Sequence, residues 1–219
     1  MTRWNLAAEL PPLFAPSWRA PERWRRLAED RAGGARYLML PGLLTEDTAL
    51  AIRASVLELP MVRLTTVLLD ADRHLLAADE VSTWLDLLQG DALRALVGDV
   101  LRRELPLGLV VNAWRLQRGD YMGVHPDGPL YRGTISLGLC SRWTDDDGGA
   151  IAFGDRVGDD FLPRQRWYPH LGDACVFAPE ADTWHAVEAV RTDAVRHSLT
   201  GWWTEAADGL TRGRSTPSG

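Results

Sequence analysis

Two hydrophobic periods run along this chain, and the change between them falls near residue 107. Before that point apolar residues recur at the three-to-four spacing of a helix face. Trp24, Leu27 and Ala28, with Pro21 in the first turn, predict a helix over residues 21–31 that ends at Gly33-Gly34. Thr45 as N-cap, with Glu46 and Asp47 behind it, predicts a second helix to about residue 59, striped by Leu50, Ile52, Val56, Leu57 and Leu59. Residues 79–105 read as mostly helical, through Trp84, Leu85 and Leu88 and then Leu93, Leu96, Val97, Val100 and Leu101, until Pro106. Residues 36–40 and 62–69 read as short strands. Residues 1–18 are Pro-rich and aperiodic and read as an extended arm, a candidate lid.

From residue 107 short β-like runs alternate with Gly/Asp turns: LVVNAWRL, GTISLGLC, AIAF, ACVFAP, HAVEAV and VRHSLTGWW. This texture predicts a β-sandwich or barrel. From residue 205 the chain turns polar and Gly/Ser/Thr-rich, which predicts a disordered tail. The expected organisation is one α+β domain. Residues 1–106 supply an arm, helices and flanking strands, residues 107–204 the β core, and residues 205–219 the tail.

Composition narrows the possibilities. A chain of 219 residues with 46% hydrophobic content can bury one sizeable core. The net charge is −6 and no Lys/Arg run stands out, so nucleic acid is not an expected partner. Two cysteines, Cys140 and Cys175, lie in apolar runs and read as buried thiols rather than a disulfide framework. No stretch approaches the roughly 20 apolar residues that span a bilayer, and the N-terminal stretch lacks a signal peptide's apolar core. A cytoplasmic protein is expected, with its oligomeric state open. Ten tryptophans are an unusual number and suit either a bulky core or an aromatic pocket.

Chemistry concentrates in the β half. His125 and Asp127 stand two apart just after Gly123-Val124, so both side chains of an extended segment can reach one ion. His185 opens a later strand. Two imidazoles and one carboxylate form the facial set that suits non-haem Fe(II), although the same side chains also suit zinc or manganese. The pair alone is a weak signal; its place after a strand, and the order of the partners, give it weight. His74 reads as a surface residue in a helical approach, His170 as a turn residue, and His197 as facing away from the ion. In the last strand, alternation puts Arg196, Ser198 and Thr200 on one face. An arginine in an apolar strand needs a partner. That partner is either an internal acid such as Glu188 or, with Ser198 assisting, the carboxylate of a ligand.

In this order the motifs resemble those of the iron- and 2-oxoglutarate-dependent oxygenases, in their prolyl-4-hydroxylase-like branch. The carrying segments are Gly119 to Asp127, Asp147 to Phe153, Gly172 to Phe177, His185-Ala186-Val187 and Arg196 to Trp202. The resemblance covers residues 107–204 and implies a double-stranded β-helix, a jelly roll with N-terminal helices packed on one sheet. It implies that His125, Asp127 and His185 bind Fe(II), and that Arg196 and Ser198 hold the far carboxylate of 2-oxoglutarate. With O2, the cosubstrate would yield succinate and CO2 as a C–H bond is hydroxylated. The retained Asp127 argues against halogenation. Relatives often place a tyrosine in the strand before the His-x-Asp pair, whereas this one reads Val111 to Leu116. Tyr121 or Asn112 is the expected substitute at the cosubstrate, with Trp114 a further candidate.

Two other readings use the same residues. One is a cupin-like metalloenzyme without 2-oxoglutarate, the other a non-catalytic small-molecule-binding module. The expected substrate is a small molecule or a peptidyl residue: an amino acid, a peptide or a natural-product intermediate. Trp143, Trp184, Arg115 and the run Asp145 to Asp147 are candidates for the rim of the entrance.

Overall fold

The computed structural model describes residues 3–77 and 80–205. Four helices, α1 (Pro21–Ala32), α2 (Glu46–Leu57), α3 (Ser82–Gln89) and α4 (Asp91–Leu101), accompany eleven strands. The strands are β1 (Tyr37–Leu40), β2 (Val62–Thr65), β3 (Leu69–Leu75), β4 (Leu109–Leu116), β5 (Tyr121–His125), β6 (Tyr131–Gly138), β7 (Ile151–Val157), β8 (Asp160–Trp167), β9 (Ala174–Phe177), β10 (Trp184–Val187) and β11 (Arg196–Thr204). Their order is β1-β9-β6-β11-β4-β3-β5-β10-β7-β8, with β2 on the free edge of β3. Every pairing is antiparallel. β3 pairs with both β4 and β5 and so joins the larger sheet to the smaller one, which rolls the whole into a jelly roll.

Strand alternation separates two cores. Outward residues Val111, Ala113, Ile135, Leu137, Leu199 and Trp203 bury against Trp24, Ile52, Trp84, Leu88 and Leu96 of the helices. Inward residues Ala71, Trp114, Leu116, Ile151, Phe153, Phe177 and Val187 fill the closed end of the roll. Tryptophan serves both cores: Trp18, Trp24, Trp84 and Trp203 are fully buried on the helical side. The helices start and stop as the sequence dictates. Pro21 sits in the first turn of α1, and the Thr45 hydroxyl accepts the Thr48 N–H to cap α2.

Two expectations need correction, and one strand was not anticipated. Residues 3–19 are not an extended arm: two short 3₁₀ segments, Arg3–Glu9 and Pro16–Arg19, and the link between them carry Ala7, Leu10, Phe14 and Trp18 into the helical core. Those apolar residues recur three or four apart, a spacing that the intervening prolines masked. These anchors make the segment part of the helical core. His74 is not in a helical approach but in β3, with its Nε2 2.7 Å from Glu80. The run 160–167 forms β8, a solvent-facing edge strand whose polar sequence hid it. Cys140 and Cys175 are buried and free. The expected disordered tail lies outside the described residues apart from Glu205.

An ion network fastens the β2–β3 hairpin to the β4–β5 turn. Arg63 of β2 donates to both oxygens of Asp120, at 2.7 and 2.6 Å, and reaches Asp70 at 2.6 Å. Arg115 of β4 donates to Asp72 at 2.8 Å. Burial alone would raise the Asp120 carboxyl, but hydrogen bonds from Arg63 and from the Gln117 N–H, with the Arg63 charge, hold it below the usual carboxylate range.

Candidate active site

β5 ends at His125, and Asp127 follows one residue beyond Pro126. Simple alternation would put Met122 and His125 on opposite faces, yet both line the same cavity. The register explains this. His185 of β10 pairs with His125, but Val187, two residues on, pairs with Met122, three residues back. One extra residue bulges out of β5 and turns His125 inward. Gly123 sits at that bulge. Its N–H donates to the Leu68 carbonyl at 2.6 Å, an approach that leaves little room for a side chain.

His125, Asp127 and His185 each offer one ligand atom, and these atoms all lie within 4.8 Å of one another. The imidazole centroids are 4.4 Å apart, and His185 Nε2 is 3.9 Å from Asp127 Oδ1. Partners behind the three candidate ligands leave one donor atom of each free. His125 Nδ1 is 2.8 Å from the Gly123 carbonyl and His185 Nδ1 is 3.2 Å from the Thr183 carbonyl, so each Nδ1 carries the proton and each Nε2 keeps its lone pair. Asp127 Oδ2 accepts from Thr134 Oγ1 at 2.6 Å and from Trp202 Nε1 at 3.0 Å, leaving Oδ1 uncommitted. Phe177 and Phe153 pack on the His185 ring at centroid distances of 5.0 and 6.0 Å. Burial and the neighbouring imidazole outweigh Asp127 and hold His185 neutral, the state a metal requires. An oriented N₂O donor set of this kind fits a first-row divalent ion such as Fe(II).

Arg196 lines the same cavity as the triad. The residue is 2% exposed. Its Nε donates to the Gly149 carbonyl at 2.8 Å and its Nη1 to Ser198 Oγ at 2.6 Å. Gly149 has φ +62°, and a Cβ there would press on the Arg196 side chain and Trp143, so glycine is what lets this carbonyl reach the guanidinium. Among the described residues no carboxylate pairs with Arg196. Glu188, the internal acid weighed as its partner, pairs instead with Arg166 at 2.9 Å. Burial without a counter-ion pushes the Arg196 pKa down to about 10. The remaining guanidinium N–H groups are thus free for an anion in a cavity whose wall includes the apolar Trp114, Leu116, Ile151 and Val187.

The other sequence candidates separate by position. Thr200 lines the cavity, where its hydroxyl is 3.1 Å from Ser136 Oγ. Tyr121 is not brought to the site: it is 37% exposed, because Met122 takes the inward position on β5. Asn112 lies on the inward face of β4 but outside the cavity wall around Arg196. Trp114 lines that wall, as does Trp202, which sequence reasoning passed over. The parity of Trp202 with Arg196 and Ser198 was the available signal. His197 faces the opposite way, and burial with the charges of Arg53, Arg115 and Arg196 pushes it down to about 4. The suggested rim residues mostly lie elsewhere. Trp143 is buried and donates to the Gly148 carbonyl at the Arg196 end, Arg115 is tied to Asp72, and Asp147 caps its own turn by accepting from Thr144. Trp184, under the Arg156 guanidinium, adjoins His185 and is the one still placed near the triad.

Comparison with known proteins agrees with this geometry. Residues 111–204 match the model of the 2OG-Fe(II) oxygenase superfamily. A search of curated proteins found no significant match. Among solved structures the chain is similar to a prolyl-4-hydroxylase from Pseudomonas putida, with a TM-score of 0.68 and 18% identity over 81% of this chain and 98% of that one. It is similar to a prolyl hydroxylase from Trichoplax adhaerens in complex with a hypoxia inducible factor peptide fragment, with a TM-score of 0.63 and 14% identity over 89% and 96% of the two chains. The epimerase SnoN of nogalamycin biosynthesis, in complex with Fe3+, alpha ketoglutarate and nogalamycin RO, gives a TM-score of 0.64 and 18% identity over 91% and 94%. At such identities the likeness is one of fold. The family model matched over residues 111–204 marks the β core as a 2OG-Fe(II) oxygenase domain, of a superfamily whose members use Fe(II), 2-oxoglutarate and O2.

Proposed function

We propose that His125, Asp127 and His185 hold the iron, that Arg196 with Ser198 anchors the far carboxylate of 2-oxoglutarate, and that the enzyme hydroxylates a C–H bond of an amino acid, peptidyl or natural-product substrate. The observation that carries this reading is the buried, acid-free Arg196 fork in the same cavity as the triad. When bound there, iron supplies the oxidation of a C–H bond coupled to decarboxylation of 2-oxoglutarate to succinate and CO2. The protein's own part is orientation and exclusion of water. Gly123 and Thr183 carbonyls fix the two imidazole tautomers, Thr134 and Trp202 aim Asp127, and the apolar wall keeps the Arg196 charge strong for its partner. The retained carboxylate of Asp127 favours hydroxylation over halogenation. The absence of an acid beside Arg196 among the described residues weighs against a cupin-like enzyme that uses no 2-oxoglutarate.

Anaerobic addition of Fe(II) and 2-oxoglutarate is expected to produce a weak visible charge-transfer band. Folded, iron-loaded protein that shows no band would overturn the reading. The same assignment predicts that Thr134→Val, which removes one of the two donors to Asp127 Oδ2, lowers metal affinity about 10–100-fold while circular dichroism stays unchanged. Titration with Mn(II) measures this, and unchanged affinity would show that Asp127 is not aimed through Thr134.

A further inference from the structure

Most inward polar groups of the larger sheet are satisfied by each other. Ser136 pairs with Thr200, Ser198 with Arg196, and Thr134 and Trp202 with Asp127. Asn112 is the exception. It is 7% exposed, its Oδ1 is buried, and that oxygen has no hydrogen-bond partner. The register sets it directly opposite Thr200 of β11 on one side and Leu75 of β3 on the other. Thr200 lines the cavity, and Leu75 is 52% exposed, so Asn112 stands between the cavity wall and solvent.

Arg73 is the second group at this place without a protein partner among the described residues. On β3, Ala71 is buried in the interior cluster and Leu69 packs against it, so alternation puts Arg73 on the same inward face. Arg73 pairs in register with Trp114, which makes it the diagonal neighbour of Asn112, roughly 7–8 Å away and within reach of a long side chain. Among the described residues no carboxylate lies within ion-pair distance of Arg73. The acids of the same strand, Asp70 and Asp72, are engaged by Arg63 and Arg115. A half-buried cation and a buried amide oxygen, side by side and both without partners, ask for an anion next to a hydrogen-bond donor.

We propose that Arg73 and Asn112 dock the primary substrate, and that this substrate is a small amino-acid-type carboxylic acid whose N–H stands beside its carboxylate. The carboxylate meets the Arg73 fork, and the N–H donates to Asn112 Oδ1. An internal peptide unit would satisfy Asn112 but leave the arginine without its anion. This assignment rests on the oxygenase reading, and it moves Asn112 from the cosubstrate, where the sequence suggested it, to the substrate.

The test uses the full chain loaded with Mn(II) and saturated with 2-oxoglutarate. The probes are N-acetyl-trifluoroleucine and its neutral methylamide, followed by fluorine NMR relaxation. The acid should show manganese-dependent relaxation about fivefold or more above that of the methylamide, because a hydrogen-bonded charge pair is worth about tenfold in affinity. Arg73→Gln should bring the acid down to the level of the methylamide, and Asn112→Leu should lower it about fivefold. Both variants should keep 2-oxoglutarate affinity within about twofold of the parent protein, since neither residue is assigned to the cosubstrate. Asn112→Leu should also melt no lower than the parent, because an apolar group of the same size relieves the stranded oxygen. A methylamide that relaxes as strongly as the acid would overturn the proposal in favour of a peptidyl substrate. Variants that leave the acid unchanged, or that weaken 2-oxoglutarate binding about tenfold, would also overturn it. Failure of the parent protein to bind Mn(II) and 2-oxoglutarate at all would instead overturn the oxygenase reading on which it rests.

Discussion

Asp127→Ala is expected to abolish 2-oxoglutarate turnover and to weaken divalent-metal binding well beyond the roughly 10–100-fold that follows loss of an outer partner. Two effects add. The substitution removes the carboxylate, the only anionic group of the triad, whose Oδ1 lies 3.9 Å from His185 Nε2. It also strands Thr134 Oγ1 and Trp202 Nε1, which now donate to Oδ2. A buried donor without an acceptor, here Thr134, costs about 1–3 kcal/mol and the half-buried Trp202 less, so the variant should melt at a lower temperature as well as lose activity. Asp127→Asn separates the contributions. It keeps an oxygen for one of the donors but removes the charge, so more stability than activity should survive. Succinate release and metal titration measure the first effect, thermal denaturation the second. Undiminished metal affinity in Asp127→Ala would remove the residue from the site.

The second large effect has opposite signs for stability and function. Arg196→Met is expected to weaken 2-oxoglutarate binding by about 10²-fold or more, because truncating one partner of a buried charge pair costs roughly 2–5 kcal/mol. The protein without cosubstrate should nonetheless melt no lower than the parent. Arg196 is 2% exposed, its pKa is pushed down by burial, and it has no carboxylate among the described residues, so its charge is a standing cost until a ligand neutralises it. The parent should therefore gain thermal stability on adding 2-oxoglutarate, and the variant should not. Arg196→Lys should not restore binding, because an ammonium cannot hold the Gly149 carbonyl, Ser198 and a carboxylate in one planar fork. A large loss of melting temperature in Arg196→Met without ligand would show that the guanidinium is a structural tie, and would count against its role at the cosubstrate.

Local pattern carried the element types where one face of the chain is buried. The period-two runs of the second half became β4, β6, β9 and β11, because their alternate residues divide between a helical core and the interior of the roll. Elements whose pattern is not set by one buried face were illegible. β8 is exposed along most of its length, and β3 reads DADR in its middle because Asp72 is buried by ion pairing rather than by apolar contact. Residues 3–19 carry apolar anchors, but only the helices they pack on give those anchors meaning.

The sequence by itself determined the donor chemistry: a His-x-Asp pair, a later histidine, and an arginine on the same strand face as a serine and a threonine. These follow from residue identity and from a period of two, which need no knowledge of neighbours. Tertiary structure decided everything that depends on which strands adjoin. It decided that a bulge in β5 turns His125 toward His185, and that Gly123, Thr183, Thr134 and Trp202 orient the three candidate ligands. It decided that Glu188 is taken by Arg166 and so leaves Arg196 free, that Tyr121 points to solvent, and that Arg73 comes to stand beside Asn112. A side chain's partner is set by register across strands far apart in the chain, and no local period encodes that register.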